Sequence, residues 1–198
     1  ISRPLTSLAI GILGALVLCP TVKAEPVLVR YAEGVSRGFL TLRSVNGEKL
    51  ADGEMLQVLR PRGLESRLVF RFTDGSLYDE TVLYSQRRVF ALLQYRLIQR
   101  GPSFPTTLDV SFDRQRAWYV VRSRNGTGPE KTLSGQLDLP PDVYNGMTAT
   151  LLKNLRQGAS ETVHLVAFTP KPRLVKLHLT PAGEEAVRVG DASLPAVR

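Results

Sequence analysis

Short segments of β character recur along this chain, each closed by a turn signal, and that rhythm constrains its fold more than any other feature. Residues 38–43 precede Asn46-Gly47, residues 67–72 run into Asp74-Gly75 and 76–84 return, and residues 117–122 precede Asn125-Gly126. Asn-Gly and Asp-Gly provide the positive-φ residues that tight hairpins require. Segments 54–60, 88–99, 108–112, 131–137, 161–169, 173–180 and 184–189 extend the series. Only residues 142–157 have a 3.6-residue period, with Val143, Met147, Leu151, Leu152 and Leu155 on one face. Asp142 is placed to cap that helix, Lys153 and Arg156 suit its carboxyl end, and Gly158 suits its stop. The expected fold is mainly β: a single curved antiparallel sheet, or a partly closed barrel, with one packed amphipathic helix.

Residues 1–24 stand apart from this pattern. Arg3 precedes an uncharged, mostly apolar run from Leu5 to Val22, and Val22-Lys23-Ala24 matches a signal-peptidase site. We expect a signal peptide cut after Ala24 and export to the periplasm or beyond. Gly11, Gly14 and Pro20 break the run, which argues against a membrane span of about 20 apolar residues. Lipidation at Cys19 is the other reading of the segment, but bulky Leu18 stands where a small residue is favoured. Cleavage after Ala24 removes the sole cysteine, so the mature chain has no disulfide and no thiol chemistry. Residues 25–198 show no linker and no usable repeat and are expected to form one β-rich domain. Ile1 in place of Met and the abrupt, strand-like Ser193 to Arg198 suggest a fragment at both ends, truncated at the C-terminus as well as the N-terminus.

Charge is uneven. The chain has 26 Lys plus Arg against 18 Asp plus Glu, and residues 87–131 hold nine cations against three acids. A charge run is ordinarily a solvated face; its functional reading is attraction to an anionic surface, a cell-wall polymer or an acidic partner. Nucleic acid is not expected, because no aromatic–basic recognition motif is present.

Signals for chemistry are sparse. His164 and His178 fall on the same side of a hairpin formed by residues 161–169 and 173–180, directly opposite in one register and diagonal after a slip of two. No third ligand is fixed beside them, so they are expected to be surface histidines without a metal. Val163, Leu165 and Ala167 are expected to face the core. A two-residue loop at Asp74-Gly75 would place Asp79 opposite Phe70 among Leu68, Phe72 and Leu77, where a carboxylate needs a partner or a raised pKa. There is no G-x-S-x-G elbow, no phosphate-cradling glycine loop and no paired-acid arrangement, so catalysis and cofactors are not expected.

Several phrases, Phe70 to Thr81, Gln99 to Pro105, Leu139 to Met147 and Phe168 to Arg173, resemble a group of uncharacterised exported bacterial proteins with a domain of unknown function. The resemblance covers most of residues 28–190, implies no established activity, and implies a longer chain. At the level of fold, the pattern is also similar to the half-barrels of periplasmic lipoprotein carriers, which hold an acyl chain; that is analogy only. The function expected is a non-catalytic envelope binding protein for an apolar or amphiphilic ligand, such as a lipid, with an anionic group. Phe70, Phe72, Tyr84, Leu93, Tyr95 and Trp118 are its expected lining. Arg88, Arg96 and Arg100, on one strand face, are its expected basic rim, meeting a headgroup or anionic membrane surface. The alternative is a structural or assembly module that docks another envelope protein; an unrecognised hydrolase comes third.

Overall fold

The computed structural model describes residues 26–156 and 158–197. The proposed signal peptide and Cys19 lie outside the described residues. Strand residues make up 61% of the described residues, and all twelve strands lie in antiparallel pairs, so the protein is mainly β. Eight form a meander in which each strand pairs with the next. These are β1 (Ser36–Arg43), β2 (Lys49–Arg60), β3 (Gly63–Phe72), β4 (Leu77–Gln86), β5 (Phe90–Arg100), β6 (Thr106–Asp113), β7 (Trp118–Asn125) and β8 (Lys131–Gln136). The order runs from β1 to β8 without closing into a barrel. A helical turn, α1 (Thr148–Leu152), follows, then the hairpins β9 (Glu161–Phe168) with β10 (Pro172–Leu179) and β11 (Glu184–Val189) with β12 (Ala192–Val197).

Alternation divides the eight-stranded sheet into two faces. On the inner face Leu64, Val82, Tyr84, Tyr95, Val110, Phe112 and Val121 are buried. They share one core with Val143, Tyr144, Met147, Leu151, Val163, Val166 and Phe168 from the segment that folds over them. Phe168 stacks on Tyr95 with ring centroids 5.9 Å apart. The outer face carries Arg67, Asp79, Thr81, Arg96 and Asp109, and is laced with ion pairs.

Three expectations are corrected. The helix planned for residues 142–157 is only five residues long. Val143, Met147 and Leu151 are buried as the period requires, but Asp142 caps nothing. Its backbone carbonyl accepts from the His164 amide at 3.0 Å, Tyr144 donates back to the His164 carbonyl at 3.0 Å, and Val143 forms a parallel bridge to His164. That bridge, with Gly146 at φ +70°, holds residues 142–147 out of a helix. The second correction is on β9, where His164, Val166 and Phe168 share a buried face, while on the other face Val163 is buried but Leu165 and Ala167 are only half-buried. Both faces of that strand are apolar, so alternation alone could not orient it.

The third correction is one of register. The β3–β4 loop is three residues, Thr73-Asp74-Gly75, with Gly75 at φ +84°. Glycine at the left-handed position is characteristic of that longer loop. Asp79 therefore pairs with Val69 on the outer face, and Tyr78 stands opposite Phe70. Shifting by one residue exchanges the faces of a strand: Asp79 meets Arg67 at 2.5 and 2.9 Å, and Glu80 is the carboxyl that enters the interior.

Candidate functional site

Glu80 sits on the inner face beside Tyr78 and Tyr95. Tyr95 donates to its Oε1 at 2.8 Å, and Tyr78 also hydrogen-bonds to it. Burial pushes its pKa up, outweighing the two tyrosine hydroxyls, which pull it down. Both phenols are pushed up in turn by burial. The folded chain thus retains a proton that the unfolded chain gives up earlier. Its contribution to stability is complete below the ordinary glutamate pKa and is lost as pH rises through the raised value. Glu80→Gln keeps the shape and removes the ionisation. It is expected to raise Tm by a few degrees at pH 8 and to leave it unchanged near pH 3.5. Parallel melting curves for the two proteins across that range would show that Glu80 does not ionise differently on folding.

A predominantly apolar concavity lies at another place, where α1 meets the N-terminal segment and the end of β10. It is an open groove of about 610 Å³. Tyr31, Leu152, Leu155, Leu179, Pro181 and Val197 provide its apolar surface, and Arg30, Lys153 and Arg156 its charge. Leu152 and Tyr31 are 53% and 63% exposed. Asn154, itself buried, builds this site. Its Oδ1 accepts from the Arg30 and Tyr31 amides at 2.8 and 2.7 Å, and its Nδ2 donates to the Thr150 and Tyr31 carbonyls. The N-terminal segment is thereby laid along the helical turn. Farther back, the Val27 amide donates to the Tyr144 hydroxyl at 2.8 Å, and the Val29 amide donates to the Arg88 carbonyl. Lys153 pairs with Glu33 at 2.7 Å and Arg156 with Glu161 at 3.0 Å, so the rim is held in place by neighbouring acids.

The residues singled out from sequence are distributed over both faces. Phe70 and Phe72 are half-buried on the inner face, outside the main core; Phe70 packs against Tyr78, and Phe72 meets Phe104 edge-on. Tyr84 and Tyr95 are on the same face but buried under the second layer, where desolvation pushes the Tyr84 phenol up to about 12. Leu93 is skipped in the β4–β5 pairing, between Gln94 and Leu92. Trp118 is on the outer face, 44% exposed. Arg96 and Arg100 are also on the outer face, whereas Arg88 lies in the β4–β5 turn rather than on the strand. None of these nine borders the groove. The groove's residues come from four separate segments, and no local period links them.

The histidines separate as well. Lys176 is opposite His164 and His178 is opposite Thr162, which is the diagonal register. His178 is exposed and bonds the Thr162 hydroxyl at 3.1 Å. His164 is not a surface residue: it is 8% exposed, and its Nδ1 bonds the buried Asp142 carboxylate. No group of three His, Cys, Asp or Glu placed to hold a metal occurs among the described residues.

A scan of protein-family models and searches of curated proteins and of solved structures find no match to this chain. Its own geometry is the guide. No helix among the described residues is long and apolar enough to cross a membrane.

Proposed function

We propose that this chain is an exported envelope protein that holds an amphiphile with an anionic group, without catalysis. The groove beside α1 carries the reading: apolar side chains form its surface, and Arg30, Lys153 and Arg156 provide cations at its margin. Its volume of about 610 Å³ is within the range of small-ligand sites, ~300–1,000 Å³. An acyl tail would lie over Leu152, Leu155 and Leu179 with its head toward the cations. The ligand rests in an open groove, since the inner face of the sheet is occupied by core side chains. The second reading, a docking module for another envelope protein, is favoured by β1, an edge strand with Phe39 76% exposed.

Leu152→Asp tests the first reading, because Leu152 is exposed and its loss should leave the fold intact. A fluorescent long-chain fatty acid is expected to bind the wild type and to bind the variant at least tenfold more weakly, about 1.4 kcal/mol. The same chain with a quaternary ammonium head should bind more weakly than the acid. Equal affinities for wild type and variant would remove the groove from the function.

A further inference from the structure

On the outer face, opposite the groove, three depressions lie end to end along β4 and β5. The first, about 500 Å³, is bordered by Leu83, Arg116 and Trp118. The middle one, about 340 Å³, shares Glu65, Thr81 and Arg96 with the first, and Arg67, Asp79 and Ile98 with the third, about 590 Å³. The result is one continuous channel from Trp118 to Arg71 and Arg100. Leu83 and Leu77 lie six residues apart along its floor, about 20 Å at ~3.4 Å per residue.

The channel has a charge excess and a particular texture. Five arginines border it against three carboxylates, Glu65, Asp79 and Asp113. Asp79 is taken by Arg67, and Glu65 pairs with Arg60 at 2.7 Å. Arg96 shares Asp109 loosely with Arg122, at 3.5 and 3.7 Å. Among the described residues no carboxylate lies within 4.0 Å of the Arg71 or Arg100 guanidinium. These two flank Leu77 in one cross-strand row. Neutral hydrogen-bonding groups accompany the charges: Thr81 and Ser111 flank Arg96 in one cross-strand row, and Gln94 stands in the next row toward Trp118, its Nε2 donating to Asp113 at 2.7 Å.

We propose that this channel binds an extended anionic polysaccharide. Carboxylate or sulfate groups of the polymer meet Arg71 and Arg100, which present guanidinium forks matched to oxyanions. Hydroxyls along the chain meet Thr81, Gln94 and Ser111, and one sugar ring lies on the exposed Trp118 indole. Single-stranded nucleic acid fits less well, because its bases need a series of aromatic platforms and Trp118 is the one aromatic ring in the channel that is exposed. A bilayer fits less well because the cations border a recess and do not surround a protruding apolar element.

Trp118 is the chain's only tryptophan, so its emission reports on this site alone. An alginate oligomer, a polyuronate, is expected to shift that emission and to bind with strong salt dependence, while neutral dextran of equal length leaves it unchanged. Arg71→Glu with Arg100→Glu should weaken alginate binding at least tenfold without altering the melting temperature. Leu152→Asp, across the sheet, should bind alginate like the wild type, so this site and the amphiphile groove succeed or fail separately. The proposal is overturned if the double arginine variant binds alginate as tightly as the wild type. It is also overturned if a single-stranded DNA oligomer of equal charge binds as well as alginate, because attraction would then be charge alone.

Discussion

Arg114→Met is expected to lower unfolding free energy by about 3 kcal/mol, because one guanidinium holds three carbonyls at the seam between the two layers. Its Nε donates to the Leu92 carbonyl at 2.6 Å, and its two terminal nitrogens donate to Leu139 and Pro140 at 2.9 and 3.1 Å. Leu92 lies at the β4–β5 irregularity, where the pairing skips Leu93. Residues 139–140 are where the chain crosses from the sheet to the segment that covers it. Methionine fills similar space but leaves all three acceptors without this donor. Burial lowers the Arg114 pKa, yet a guanidinium remains charged at any pH where the protein folds. Lysine at this position retains the charge but not the fork, so Arg114→Lys should recover only part of the loss. Urea unfolding measures both variants; values within 0.5 kcal/mol of the wild type would show that the seam does not depend on Arg114.

Asp142→Ala is expected to cost about 3 kcal/mol for a different reason. It strands a buried imidazole whose Nδ1 bonds the Asp142 carboxylate. Removing one member of a buried pair leaves the other desolvated and unpartnered, which costs more than the pair contributes. Asp142→Asn retains an oxygen acceptor at the same place and should lose only about 1 kcal/mol. The coupling between Asp142→Ala and His164→Ala, from a double-mutant cycle, should exceed about 1 kcal/mol. Additive effects of the two substitutions would mean that the pair does not lock β9 to the crossing segment.

Arg114 also shows how a charge run should be read. It belongs to the cationic stretch at residues 87–131, yet it is a structural clamp. Its neighbours Arg96 and Arg100 went to the outer face because they alternate with Tyr95 and Leu97, whose burial sets the strand's orientation. With Arg116, these exposed cations of that stretch join Arg67 and Arg71 from β3 along one channel, a convergence that no linear window reveals.

The strands themselves were legible in the sequence. Alternation and turn dipeptides are local, so each of the expected segments of the meander appears within a few residues of its predicted place, and Gly47, Gly75 and Gly126 adopt positive φ at their turns. The tertiary structure decided what those local signals leave degenerate. One extra loop residue at Thr73 moved Asp79 outward and Glu80 inward. A bridge from Val143 to His164, 21 residues away in sequence, replaced the first turns of the expected helix. The groove exists because Asn154 bonds Arg30 and Tyr31 across more than a hundred residues. Period and turn chemistry are properties of neighbours along the chain; register, the direction of β9 and the meeting of distant side chains depend on contacts that form only when the layers pack.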